Sequence, residues 1–491
     1  MSVPFNTIPA TIRVPLFYAE MDNSHAGTFS ATYRTLLAGQ ITNSLYPTPG
    51  VPVYVSNLAQ AKSKFGPGSQ LVQMIDAYFK NNTSVEVYVL PIADPTTGTA
   101  AEGAVTISGT ATDSGVLSLY VYDKVVQVGV GDTDTAAAVA TAAAAAINAD
   151  ADLPVTATAE DGAVTVTAKH KGVIGNDIIL NLNLGGEANG EATPTGLTVT
   201  LTQPTNGAGN PDVESAIANL GEEQYDFVVS GFTVSSVLKA FSAYMNDKTG
   251  NWSYNKQLYG HVWTAYRGTV SELQTLGKSY NDQHLSILGV YGSASPIWAW
   301  AAAVAGSAAT SIAADPARPL QTLTIEGVSA PDVSDRFISS ERESLLKNGI
   351  STFTVNAGTA QIDRIITTYQ KNAYGQADNS YLSVETMYTS AYILRRLRSV
   401  ITSKYGRCKL ANDGTHFGEG QAVVTPKIIK AELITVYSEL ENAGLVENIE
   451  EFKKNLIVER NENDRNRVDV LFTPDYINQM NVFALVNQFR L

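Results

Sequence analysis

Apolar residues recur along this chain at two different periods, and the switches between them lay out its organisation. Between 70 and 81, Leu71, Ile75, Tyr78 and Phe79 fall on one face at helical spacing, and Ser69 ahead of them is a good N-cap. The pattern predicts a helix over Gln70–Asn81, flanked by core strands at 35–41 and 85–90. Past Pro211 the same rhythm returns. Strands predicted at 226–230, 259–263 and 284–290 alternate with helices at 234–245, 270–280 and 296–314. Such alternation predicts an α/β fold, a mostly parallel sheet with helices packed on it.

The stretch between these halves reads differently. Residues 92–205 are rich in Thr, Gly, Ala and Val and nearly free of aromatics, with period-two runs at 104–109, 116–121, 125–130, 155–159, 163–168, 178–184 and 197–201. One Ala-rich helix, 135–148, interrupts them. This predicts a small β-rich domain inserted into the α/β host.

Further on, the pattern predicts a helix at 340–348 and a hairpin of 351–355 with 361–369 around Asn356-Ala357-Gly358-Thr359. Long helices at 383–405 and 426–441 follow, then a charged turn from Glu459 to Arg467. The chain closes on two strand patterns, 468–472 and 481–491, separated by Pro474. In the last, Phe483, Leu485, Phe489 and Leu491 share a face, with Val482 beside them. A chain end is usually frayed and polar; this one has a greasy face and backbone groups that need a partner sheet. Burying such side chains is worth roughly 1.5–3 kcal/mol each, so four or five amount to on the order of 10 kcal/mol gross. Two readings stand: a last strand closing its own domain, or an arm donated to a neighbouring copy by β-augmentation. Near the other end, residues 11–18 read as extended, and Pro15 confines them to an edge or arm because proline cannot donate to a ladder. A turn cluster follows at 22–27. The implied organisation is an N-terminal arm (1–24), a two-part core (25–91 and 206–330), the insertion (92–205), a C-terminal α+β domain (331–474) and an arm strand (475–491).

Composition narrows the function classes. A net charge of −14, from 33 basic and 47 acidic residues, disfavours nucleic acid and anionic membranes as partners. Basic residues do cluster at Arg395, Arg396, Arg398, Lys404, Arg407 and Lys409, read here as the solvated or salt-bridged face of a helix. Cys408 is alone, which excludes an internal disulfide framework and a cysteine zinc site and fits a reducing cytoplasm. The first residues show no basic-then-apolar leader. The uncharged span 296–314 has membrane length, yet it is mostly Ala with Gly306, Ser307, Thr310 and Ser311, which predicts a closely packed buried helix.

A search for chemistry comes back empty. There is no G-x-S-x-G elbow. Asp113-Ser114-Gly115 matches a subtilisin-type Asp element but lies in the insertion, with no His or Ser element after it. The five histidines, 25, 170, 261, 284 and 416, are scattered; His261 and His284 fall at strand starts and read as structural. Asp132 and Asp134 lack the rest of a calcium loop, and Glu341 and Glu343 suit a helix start. Gly66-Pro67-Gly68-Ser69 could cradle an anion but lacks the P-loop lysine. No catalytic residue, metal site or cofactor is expected.

Several blocks resemble the tail sheath protein of contractile-tailed phages, in its Mu-like branch. They include Ile8-Pro9 through Arg13-Val14-Pro15, Phe65-Gly66-Pro67-Gly68-Ser69, Asp315-Pro316-Ala317-Arg318-Pro319, Arg364-Ile365-Ile366-Thr367-Thr368-Tyr369-Gln370, Val458-Glu459-Arg460-Asn461 and Phe489-Arg490-Leu491. They run in order over about 1–92 and 210–491 and leave the insertion uncovered. The resemblance implies a multidomain sheath fold whose α/β core has subtilisin-like topology without the triad. It implies a structural subunit of a virion tail, assembled in the host cytoplasm, with no cofactor. Many copies would form a helical sleeve around an inner tail tube, with baseplate and tail terminator proteins as further partners and no direct nucleic acid or membrane insertion. Contraction of the sleeve would drive the tube through the target envelope for DNA ejection. Intersubunit contacts would run through arm residues Ile12, Val14, Leu16 and Tyr18 and through Val482, Phe483, Leu485, Phe489 and Leu491. The sheath of a bacteriocin-like injection particle is the alternative in the same class, and a subtilisin-fold hydrolase with a displaced triad the alternative from another.

Overall fold

β1 (Arg34–Gln40) is buried from Thr35 onward because it lies mid-sheet, which is why Leu36-Leu37-Ala38 is a continuous apolar run rather than an alternating one. This is a computed structural model, and it describes residues 32–418 and 420–490. β2 (Val53–Tyr54), α1 (Leu58–Phe65), α2 (Gln70–Asn81) and β3 (Glu86–Ile92) follow. Ser69 caps α2, its Oγ accepting the Val72 amide at 3.3 Å, and Leu71, Ile75 and Tyr78 are buried as their spacing predicts. β3 runs through Pro91 to Ile92, two residues past the predicted strand end.

The next unit is antiparallel. β4 (Ala100–Gly109), β5 (Gly115–Val121), β6 (Lys124–Val130), α3 (Ala136–Ala149), β7 (Val155–Glu160), β8 (Ala163–Lys171), β9 (Leu180–Leu182) and β10 (Leu197–Thr205) make two sheets, ordered β10-β4-β8-β7 and β6-β5-β9. Alternate residues such as Val105, Ile107, Val164 and Val166 point inward, against Val139, Ala143 and Ile147 of α3. This core is continuous with the layer beneath the host sheet.

The host resumes with α4 (Val213–Ala218), β11 (Phe227–Ser230), α5 (Ser235–Met245), β12 (His261–Arg267), α6 (Val270–Lys278), β13 (Leu285–Val290) and α7 (Ile297–Ala314). The sheet order is β13-β12-β11-β1-β3-β2; its first five strands are parallel and β2 is an antiparallel edge. α7 is long and apolar enough to cross a membrane, but it is packed against α2 and β12, with Trp300, Val304 and Ile312 buried.

The C-terminal part begins with α8 (Ser339–Leu346) and the hairpin β14 (Thr352–Asn356) and β15 (Thr359–Arg364), turned at Ala357 and Gly358, both at positive φ. α9 (Val384–Tyr405), β16 (Lys409–Leu410), β17 (Val423–Val424), α10 (Pro426–Asn442), β18 (Val446–Glu447), α11 (Ile449–Asn455), β19 (Ile457–Arg460), β20 (Val468–Leu471) and β21 (Asp475–Tyr476) follow. A separate apolar core gathers Val400, Leu433, Tyr437, Leu440 and Phe452, with the Tyr437 and Phe452 rings stacked at 3.8 Å. Three of the clustered basic residues are ion-paired from α9: Arg395 with Asp226, Arg396 with Glu439 at 2.7 Å and Lys404 with Glu432 at 2.7 Å.

Candidate subunit-linking arm

The chain is held firmly up to Met480. β21 pairs with β18, the Ile477 amide donates to the Leu445 carbonyl at 3.2 Å, and Tyr437 Oη donates to Glu447 O at 2.6 Å while accepting the Asp475 amide at 3.1 Å. Two glutamines then tie this stretch to the loop after α7: Gln479 Nε2 donates to Ala317 O at 3.3 Å, and Gln321 Nε2 to Met480 O at 3.1 Å. The last bond is local, Asn481 N to Gln479 O at 2.9 Å.

Beyond it, residues 482–490 hydrogen-bond to no described residue. Val482, Phe483, Leu485, Val486 and Phe489 are 79, 75, 75, 82 and 77% exposed, so the protein's own surface covers none of them. Of the two sequence readings, a last strand closing its own domain finds no bordering strand among the described residues. Val482, Phe483, Leu485 and Phe489 thus sit together on an unpaired segment. Ile12, Val14, Leu16, Tyr18 and Leu491 lie outside the described residues. Sequence reasoning missed Val486, which falls on the opposite face of the period-two pattern, and missed Gln321 and Gln479, whose roles depend on contacts about 160 residues apart in sequence.

A second exposed β feature stands nearby in sequence. β19 and β20 form an antiparallel hairpin from Ile457↔Leu471 to Arg460↔Val468, with no further strand on either edge among the described residues. Ile457, Val470 and Leu471 are exposed on it. The predicted charged turn overlaps β19 and is pinned internally: Asn461 Nδ2 donates to Asp469 Oδ2 at 2.5 Å, and Arg460 Nε to the Arg465 carbonyl at 2.6 Å. Unpaired edges with apolar side chains are templates for strand addition.

Of the positions searched for chemistry, His25 lies outside the described residues. His261 Nε2 lies 2.8 Å from Ser286 Oγ, a pair no sequence motif announced. Both residues are buried, and His261 Nδ1 has no partner, so no carboxylate orients the ring. Burial, and then the nearby His284, pushes the His261 pKa well below the usual histidine value. His284 Nε2 lies 2.9 Å from Asp247, and Asp113 and Ser114 are exposed just ahead of β5, which Gly115 opens. No cluster of metal-ligating residues occurs among the described residues. At the Gly66-Pro67-Gly68-Ser69 loop, the donors that an anion would use are engaged by Ser69 Oγ and by His170, whose Nε2 accepts the Gln70 amide at 2.9 Å.

Comparison with known proteins places this architecture. The phage tail sheath protein central domain matches residues 206–368, and the phage tail sheath C-terminal domain matches residues 376–490. The Mu-like prophage FluMu tail sheath protein of Haemophilus influenzae is 42% identical over 494 residues, covering 100% of both chains. Among solved structures, the sheath of an extracellular contractile injection system (PVC) in its contracted state aligns with a TM-score of 0.52, at 10% identity over 98% of this chain and 99% of that one. A sheath tail protein from Desulfitobacterium hafniense gives 0.50, at 13% identity over 94% and 97%. These two likenesses speak for the fold; the family rests on the full-length relative and the two domain matches. The chain belongs to the contractile phage tail sheath family, in its Mu-like branch, and is a structural subunit of such a sheath.

Proposed function

We propose that this subunit polymerises as a helical sleeve around an inner tail tube by lending its ends to neighbouring copies. The observation that carries the reading is the segment 482–490, apolar, exposed and hydrogen-bonded to no described residue, on a root that is held through Met480. A head-to-tail contact that does not close generates an open helix, as a sleeve requires. Residues 482–490 add as a strand to a neighbour's open β edge, for which the β19–β20 hairpin is the matching exposed ladder. The 11–18 arm, with Ile12, Val14, Leu16 and Tyr18, serves as the second link.

Contraction is a relaxation between two packings. Strand links survive domain rotation because the main-chain ladder persists while the arm pivots about Asn481, and no nucleotide or cofactor is consumed. In this reading the units are the arms 1–24 and 475–491, the latter with 475–480 as its held root, a subtilisin-like core without a triad at 25–91 and 206–330, the insertion 92–205 and the C-terminal domain 331–474. The subunit is not an enzyme. It assembles in the host cytoplasm, meets baseplate, tube and tail terminator proteins, and drives the tube through the envelope without touching DNA.

Removing residues 481–491 tests the proposal. The truncated chain is expected to stay folded and monomeric by circular dichroism and sedimentation, and to show no tubes in negative stain. Normal tubes from that protein would remove the basis for the arm assignment.

A further inference from the structure

The β-rich unit meets the host at the carboxyl ends of the parallel strands, where strand order reverses between β1 and β11. Open α/β sheets present their ligand crevice at that place. Here it is filled from within. His170, next to last in β8, sets Nε2 2.9 Å from the Gln70 amide that opens α2 and Nδ1 3.0 Å from Asp94, just past β3. Nε2 accepts from an N–H, so the ring proton sits on Nδ1 and is donated to Asp94. Asp177 pairs with Arg267 at the end of β12 at 3.0 Å and lies 3.4 Å from the Ile297 amide that opens α7. The remaining Arg267 nitrogens donate to the Ser293 and Ser295 carbonyls, at 2.5 and 2.7 Å. Two helix N-termini and an arginine are the donors an anionic ligand would use, and one segment, 170–177, engages an amide of each helix start and Arg267 Nε.

The seam around this segment leaves no swivel. The two crossings between host and unit are zipped together, Thr99 N to Ala208 O at 2.9 Å and Ala208 N to Thr99 O at 3.2 Å. Tyr122 packs edge-on against Trp298 at 5.6 Å. Gly68 has φ +73°, and a Cβ there would lie 2.2 Å from the Leu153 carbonyl, so the glycine loop before α2 is shaped to seat the connection between α3 and β7.

We infer that residues 170–177 form an internal plug. Its imidazole and carboxylate occupy the host sheet's crevice in place of a ligand, closing it to small anions and fixing the β-rich unit to the host as one rigid body. The insertion is then part of the moving lever rather than a tethered decoration.

The test uses the unassembled full chain, so its outcome is separable from that of the arm reading. In a Cys408→Ser background, spin labels at Thr165→Cys on the β-rich unit and Ser236→Cys on α5 report the distance between them. A single narrow distance is expected. Asp177→Ala should broaden it and lower the melting temperature, and formate, refilling the space beside Arg267, should reverse both while leaving the parent chain unchanged. A broad or split distance in the parent chain overturns the inference, as does an Asp177→Ala chain that keeps the narrow distance and ignores formate. If Asp177→Ala does not fold, Asp177→Asn replaces it, and the parent distance alone still decides rigidity.

Discussion

Arg395 is the most consequential single side chain at the seam between the α/β sheet and the C-terminal helices, and Arg395→Met measures how much. Its guanidinium meets Asp226 Oδ1 and the Tyr259 carbonyl (2.9 Å), and it lies over the Tyr33 ring at 5.7 Å. Asp226 is 2% exposed at its side chain and also accepts from the Arg34 amide at 2.8 Å and Gln224 Nε2 at 3.1 Å. Methionine keeps most of the stem's packing but leaves a desolvated carboxylate without its countercharge. Breaking a buried pair from one side costs about 3–5 kcal/mol. Asp226→Asn should cost less, because it leaves Arg395, 13% exposed at its side chain, with the Tyr259 carbonyl and the Tyr33 ring. The double variant should cost clearly less than the sum of the singles.

The deficit has a pH signature. Burial raises the Asp226 carboxyl above its ordinary value, and Arg395 offsets part of that rise. Without Arg395 the carboxyl rises further, and a group with a raised folded pKa takes up its proton in the folded state first. The Arg395→Met deficit should therefore shrink as pH falls and grow as pH rises through that higher pKa. Hydrogen exchange of the β11 and α9 amides, between pH 5 and 8, reads the opening of the seam without requiring the whole chain to unfold in one step. Additive single variants, or an Arg395→Met loss under about 1 kcal/mol at all pH values, would refute the reasoning.

Three further outcomes follow from the same geometry. His261 is buried neutral, so below about pH 6.5 the unfolded chain binds a proton that the folded chain does not, and stability should fall by up to about 1.4 kcal/mol per pH unit; His261→Gln should flatten that slope in thermal melts across pH 5–7. Gly277→Ala in α6, which helix propensity alone would favour by about 0.5–1 kcal/mol, should instead destabilise the chain in denaturant titrations, because a Cβ there sits 1.9 Å from the Asn348 carbonyl. Phe483→Ser with Leu485→Ser should leave the monomer's melting curve within about 0.5 kcal/mol of the parent, since both side chains are exposed, yet abolish tubes in negative stain.

What the sequence discloses and what it hides divides along the range of the interactions. The helix at 70–81 and the parallel strands were legible because local periodicity and caps agree with burial, as at Ser69 and along β1. α1 buries only Ala61 and Phe65, and α11 only Phe452, so neither shows a stripe. β16, β17, β18 and β21 are two residues each, too short for any period to appear. The sequence offers two readings of the segment at 482–490, a closing strand or a donated arm, and periodicity alone does not choose between them, because the presence of a partner is a property of the whole fold. The His261–Ser286 pair and the His170–Gln70 bond join residues far apart in sequence, and no spacing rule reaches them.

The roots of the two chain ends explain where stiffness has to lie. Tyr33 and Arg34, among the first described residues, are fixed at Asp226 and Arg395, where the sheet meets α9. Gln479 and Met480, at the other end, are fixed to the Ala317–Gln321 loop, where α7 leaves the sheet for the C-terminal part. On the proposed arm reading, a pull on either end would load these contacts before it loads either core. Neutral hydrogen bonds such as the two glutamine contacts, one of them exposed, contribute about 1 kcal/mol each and can yield, whereas opening the Asp226–Arg395 contact strands a buried charge. On the proposed readings, an arm pivoting at Asn481 on a body that turns as a unit is what a sleeve that shortens without dissociating requires.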